Sequence, residues 1–186
     1  MRTLFLTLIG GLIIMCSDSI ANDTQKGGTG VIGMKFPAIS AESLAGTKVT
    51  IPDSAKGLVT LVTIAFKRES QSQLDSWLEP FAGAFGGKPG FTFYEVPMIK
   101  TYYKLMALVI DGGMRAGIPR EKHKNVMTYY GDTEKYQKIL FLDDQYKGYA
   151  FLLDRDGIIR WKEEGFASKE KINDMIEAAR RLGQGK

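Results

Sequence analysis

Thiol chemistry in this chain would have to come from Cys16, its only cysteine, and imidazole chemistry from His123, its only histidine. Cys16 lies behind Met1-Arg2 and an apolar run from Leu4 to Met15, and ahead of Ser17-Asp18-Ser19-Ile20-Ala21. A short positive start, about a dozen apolar residues and small residues three and one before a cut describe a secretory signal peptide. Cleavage is expected before Asn22, which removes the one thiol and leaves 165 of the 186 residues. The apolar run falls short of the roughly 20 residues that cross a bilayer. Met15 stands where lipidation of Cys16 needs a small residue, so an exported, periplasmic protein without a lipid anchor is expected.

His123, between Lys122 and Lys124, has no nucleophile or oriented acid at a spacing that would make it a general base. A lone histidine without a thiol does not build a metal site, so no metal, cofactor or catalytic residue is expected. Arg160-Trp161 is the more telling pair. It interrupts an apolar strand, where alternation sends one side chain in and the other out. Asp154 is the natural partner for the guanidinium across the turn. Two readings stay open: an ion pair that locks the turn, or an Arg/Trp patch that recognises a protein. Arg115 and His123 join Arg160 and Trp161 as partner-binding candidates.

The elements that would position these residues follow from period and punctuation. Residues 22–34, with four glycines among polar residues, read as a flexible tether. Residues 35–183 read as one domain and 184–186 as a tail. Thr47 to Pro52 alternates like an edge strand. Leu58 to Phe66 is β-branched and almost unbroken, which fits a central strand covered on both faces. Leu74, Trp77, Leu78, Phe81 and Phe85 form a helical stripe with Pro80 as a kink inside it. Phe91–Val96 is a strand. Tyr102–Ile110 is a helix expected to end at Gly112-Gly113, with one tyrosine each of Tyr102-Tyr103 and Tyr129-Tyr130 in the core. A polar stretch from Met114 to Tyr146 carries a short helix near Thr133–Leu140. Tyr149–Leu153 and Ile158–Lys162 make a hairpin around Asp154–Gly157. The last helix opens at Ser168 and ends at Gly183. The result is an α/β three-layer sandwich, a mixed central sheet with helices on both faces.

Lysine and arginine are interspersed with acids, and the net charge of +4 survives loss of the signal, since Arg2 and Asp18 leave together. That balance gives no support for nucleic-acid binding and leaves peripheral contact with an anionic membrane open.

The order of elements resembles the thioredoxin fold over Lys35 to Leu182. In redox-active members of that superfamily, the loop after the central strand carries Cys-x-x-Cys at a helix start. Here it reads Lys67-Arg68-Glu69-Ser70-Gln71-Ser72-Gln73-Leu74, which makes Arg68, Ser70 and Ser72 a vestigial active-site loop. The cis-proline that faces the cysteines in such folds falls on Tyr149. A cis bond there would cost roughly 2.5–4 kcal/mol, so a trans Gly148–Tyr149 bond is expected and Tyr149 joins the partner-binding candidates.

A narrower resemblance lies in Gly148-Tyr149…Leu152-Leu153-Asp154…Gly157-Ile158-Ile159-Arg160-Trp161, followed by Gly165 and Ala167. With Phe36-Pro37, Leu44-Ala45-Gly46, Trp77–Phe81 and Ile118–His123, it resembles the mitochondrial F-type ATP-synthase assembly chaperones. A secretory signal stands here in place of a mitochondrial presequence, and Lys162-Glu163-Glu164 is more acidic than the family tends to be. The resemblance implies a redox-inactive thioredoxin-like protein that binds a protein partner and assists assembly of a membrane complex such as ATP synthase. The competing expectation is a periplasmic enzyme or small-ligand binder whose cleft is lined by Ser70, Ser72 and Tyr149.

Overall fold

The computed structural model describes residues 29–185. The signal segment, Cys16, residues 22–28 and Lys186 lie outside the described residues. In chain order the elements are β1 (Ile39–Ser43), β2 (Lys48–Ile51), β3 (Val59–Ala65), α1 (Gln71–Phe85), β4 (Phe91–Lys100), α2 (Ala107–Gly117), β5 (Met127–Gly131), α3 (Thr133–Leu140), β6 (Tyr149–Leu153), β7 (Ile159–Glu164) and α4 (Lys169–Gln184). The strands form one sheet in the order β2-β1-β5-β4-β3-β6-β7.

The sheet is mixed because its connections differ in kind. Helical crossovers make β3/β4 and β4/β5 parallel, whereas tight turns make β1/β2 and β6/β7 antiparallel. β3 lies in the interior of the sheet and is buried at every position, as its unbroken apolar run requires. One face carries α1 and α4, with Leu74, Trp77, Phe81, Met175 and Ala179 packed on Leu61 and Leu152. The other carries α3, with Tyr136 and Leu140 among Val62, Ile64 and Phe151. α1 buries the five residues of the expected stripe and keeps Pro80 inside it.

The 154–157 turn is braced by Gly157, whose φ of +78° suits glycine and whose absent Cβ would lie 2.6 Å from Pro52. The Gly148–Tyr149 bond is trans; the one cis bond among the described residues is Ile51–Pro52.

Four expectations are corrected. Residues 29–34 are not a loose tether: Val31 is fully buried, and the Gly33 N–H donates to the Ile159 carbonyl at 2.8 Å. α2 runs through Gly112-Gly113 and stops at Ile118 (φ −108°, ψ 133°), because Pro119 disfavours a helical residue before it. α4 ends one residue beyond Gly183. A Cβ at Gly183 would meet the Phe91 ring at 2.4 Å, so this glycine serves close packing rather than termination. Tyr102 and Tyr103 both face solvent, at the head of a segment that buries no residue at all.

Candidate partner-binding surface

The loop between β3 and α1 turns through a short 3-10 helix, Arg68–Ser70. No residue of the described chain is a cysteine, and the positions that would carry sulfur have taken structural work. The Ser70 hydroxyl is buried and donates to the Tyr146 carbonyl at 3.0 Å. Gln73 reaches the same carbonyl with its amide N–H at 3.1 Å and accepts from the Gly148 N–H at 2.8 Å. The Tyr149 hydroxyl both donates to the Asp144 carbonyl and accepts from the Asp144 N–H, each at 2.8 Å. Burial pushes the Tyr149 phenol up to about 12, so it stays protonated. Together these bonds fasten the 144–149 strap onto the start of α1. Ser70 and Tyr149 are therefore committed, while Arg68 and Ser72 point into solvent. The three residues expected to line a ligand cleft do not converge on one.

Beside the strap, at the C-terminal ends of β3 and β4, an open groove of about 370 Å³ remains. Phe66, Met98, Tyr103, Glu134, Gln137 and Gln145 contribute to its lining. Lys100 and Glu134 pair across its rim at 3.4 Å. Its lining mixes apolar side chains such as Phe66 and Met98 with amide and charged ones, and it opens to solvent rather than enclosing a cavity.

The 3-10 segment Thr101–Met106 and α2 rise next to the groove and form an apolar ridge. Leu105 is 97% exposed, Leu108 86% and Val109 72%. Polar side chains hold the opposite side of the segment to the body. The Tyr130 hydroxyl donates to the Asp111 carboxylate at 2.8 Å, and Arg115 Nε donates to the Leu44 carbonyl at 2.8 Å. Sequence reading found this helix and missed its orientation. The available signal was that Asp111 and Arg115, four residues apart, share a face and that Val109 and Ala116 lie across the helix from it.

The remaining candidates are dispersed. Arg160 is exposed and paired with Asp154, Nε to Oδ2 at 2.6 Å. Trp161 is turned the other way and meets the buried Trp77 edge to face, ring centroids 5.3 Å apart. Alternation thus places Arg160 and Trp161 on separate sides. His123 donates from Nε2 to the Ile118 carbonyl at 2.8 Å, closing the turn after α2. Arg115 ties α2 to Leu44 and His123 closes the turn that follows α2, so these two serve the same segment. Among the described residues no group of three or more His, Cys, Asp and Glu is placed to hold a metal ion. No helix among them is long and apolar enough to cross a membrane.

The model of the ATP10 protein family matches residues 33–182. The chain belongs to that family. Its fold is thioredoxin-like. The exposed lipoprotein thioredoxin of Streptococcus pneumoniae superposes with a TM-score of 0.53 at 14% identity, covering 76% of this chain and 98% of its own. The thioredoxin domain of a thiol-disulfide oxidoreductase from Bacteroides vulgatus gives 0.51 at 20% identity, covering 78% and 95%. BsSco, a member of the Sco family of cytochrome c oxidase assembly proteins, gives 0.55 at 14% identity, covering 82% and 95%. A search of curated proteins finds no match to the sequence. At these identities the solved structures establish the fold alone. Within that fold, Ser70, Gln73 and Tyr149 form the hydrogen-bonded clamp at the start of α1.

Proposed function

We propose that this ATP10 family member is an exported, redox-inactive assembly factor that holds a polypeptide segment of a membrane-complex subunit, with the membrane sector of ATP synthase as the first client to test. In this reading residues 1–21 are removed on export, so the working protein carries no thiol. One observation carries the proposal. Where a thioredoxin-type site would present sulfur, this chain clamps the loop shut through Ser70 and Gln73 and leaves the adjacent groove of about 370 Å³ open. A scaffold that keeps the recognition end of its sheet and closes its reactive slot is built to bind rather than to exchange electrons. Membership of the ATP10 family supports a membrane-complex subunit as the client.

The test is a photo-cross-linking residue in place of Gln145, which is exposed and lines the groove. Irradiation of intact cells followed by mass spectrometry should recover a membrane-sector subunit of ATP synthase or of another respiratory complex. Cross-links to soluble proteins alone, at yields matching the same label at exposed Glu170, overturn the assembly reading.

A further inference from the structure

An ordinary surface helix turns its apolar stripe to the core and its charges to water. Residues 101–117 do the reverse. Along α2, Ala107, Ile110, Asp111, Met114 and Arg115 are the half-buried positions, whereas Leu108, Val109, Gly112, Gly113 and Ala116 are exposed. The outward face carries no charge. Leu105 and Leu108 stand almost fully clear of the body, at 97% and 86% exposure, and so form a crest rather than the wall of a cleft.

The charge around this crest is equally lopsided. Residues 100–124 hold six lysines and arginines (Lys100, Lys104, Arg115, Arg120, Lys122, Lys124) and two acids, Asp111 and Glu121. Their net +4 equals that of the entire chain, so every other segment taken together is neutral. Of the two acids, Asp111 is engaged by Tyr130. Among the described residues Lys104 and Arg120 have no carboxylate partner, and both are exposed. Cations therefore bracket the apolar crest at its N-terminal end, through Lys100 and Lys104, and beyond its C-terminal end, through Arg120. An apolar face flanked by cations, of which Lys104 and Arg120 are unpaired, complements one common surface, an anionic lipid bilayer, whose interior accepts the crest and whose phosphates accept the rim. Seventeen residues in 3-10 and α conformation cannot span it, so the segment must lie in the interface plane.

We propose that residues 101–117 seat the protein on an anionic membrane, with Leu105, Leu108 and Val109 among the acyl chains and Lys104 and Arg120 against lipid phosphates. Tyr102 and Tyr103, amphipathic and exposed, lie at headgroup depth. Seated this way, the ridge holds the neighbouring groove at the membrane surface. The seat rests on the assembly reading only for its setting; lipid binding is independent of any client.

The experiment uses the protein as recovered from its exporting cells, in a Cys16→Ser background, with Leu108→Cys carrying a nitrobenzoxadiazole fluorophore. Vesicles of phosphatidylcholine with 30% phosphatidylglycerol should shift its emission to the blue, and phosphatidylcholine alone should not. The same fluorophore at Glu170→Cys, on exposed α4, should report no shift. Lys104→Gln with Arg120→Gln should weaken vesicle binding by about 25-fold, because each cation near an anionic surface contributes about fivefold. Leu105→Gln with Val109→Gln should weaken it at least about tenfold while circular dichroism stays unchanged. The proposal is overturned by co-sedimentation with vesicles that leaves the label at 108 unshifted, or by equal binding to both vesicle types. A shift that appears with protein concentration in the absence of lipid also overturns it, in favour of self-association. Groove cross-linking at Gln145 reads the client separately, so either result can fail alone.

Discussion

Oδ2 of Asp154 accepts from Arg160 Nε at 2.6 Å, while Oδ1 of the same carboxylate accepts the backbone N–H groups of Asp156 and Ile158 at 3.0 Å each. One side chain thus closes the β6–β7 turn and fixes the arginine. Burial works to raise the Asp154 carboxyl. The Ile158 N–H, Arg160 and the Asp156 N–H outweigh it and hold the group below its ordinary 3.8.

Two substitutions separate these roles. Arg160→Ala removes an exposed pair and should cost no more than about 1 kcal/mol. Asp154→Ala leaves two turn N–H groups without their acceptor and should cost about 1–3 kcal/mol in urea unfolding at pH 7. The charge-dependent part, isolated by Asp154→Asn, has a definite sign. Because the folded carboxyl is the stronger acid, its contribution is complete above pH 3.8 and fades as pH falls through the lower folded value. Wild-type and Asn proteins should converge in acid; a gap that persists there refutes the assignment.

Glu95 carries the opposite sign. It is buried on β4 beside Val96, and desolvation raises its carboxyl above 4.5, with Asp75 adding to the rise and Gln71 and Lys122 opposing it. The folded state therefore holds this proton more tightly than the unfolded chain. Stability is lost as pH climbs from 4.5 through the raised folded value. Glu95→Gln should be more stable than wild type at pH 7 and equal to it near pH 4. Equal denaturation midpoints at pH 7 would show that Gln71 and Lys122 compensate the burial in full.

How much of this was readable in advance varied with the range of the interactions. The α1 stripe and the β3 run were legible because each buried face is written in one local period, and the Asp154–Gly157 turn because its residues act within four positions. β1 and β5 were not. Ile39–Ser43 buries only its two ends, and Met127–Gly131 is made a strand by pairing with β4 and β1. The clamp was half legible: the slot of Tyr149 follows from counting, but its partners and those of Ser70 come from a strap 76 residues downstream of that serine. The ridge was hidden for a sharper reason. Leu105, Leu108 and Val109 have the same identity and spacing as a core stripe, and only the anchoring of Asp111 to Tyr130 and of Arg115 to Leu44 decides which way they turn.

The indole of Trp77 shows what the core demands of a polar handle. Fully buried, it donates Nε1–H to the Gly165 carbonyl at 2.8 Å while its ring meets Trp161. Trp77→Phe fills part of the volume and abandons the carbonyl, so it should cost about 2–4 kcal/mol. Trp161→Phe, half-buried, should cost less than Trp77→Phe. A reversed order in chemical denaturation would place the weight of this pair on β7 rather than α1.

Gly112 and Gly113 test the helical continuity on which the ridge depends. Neither has a positive φ, and a Cβ built at either meets no atom within 4 Å. Each sits inside α2, where glycine is about 1 kcal/mol less favourable than alanine. Gly112→Ala with Gly113→Ala should therefore stabilise the protein by up to about 2 kcal/mol if α2 melts with the rest of the fold. If the segment frays by itself, the global midpoint will not move, and the gain will appear instead as slower amide exchange at 108–116. A loss of stability in both measurements would mean that the helix breaks at the two glycines, and the crest formed by Leu108 and Val109 would then lack its frame.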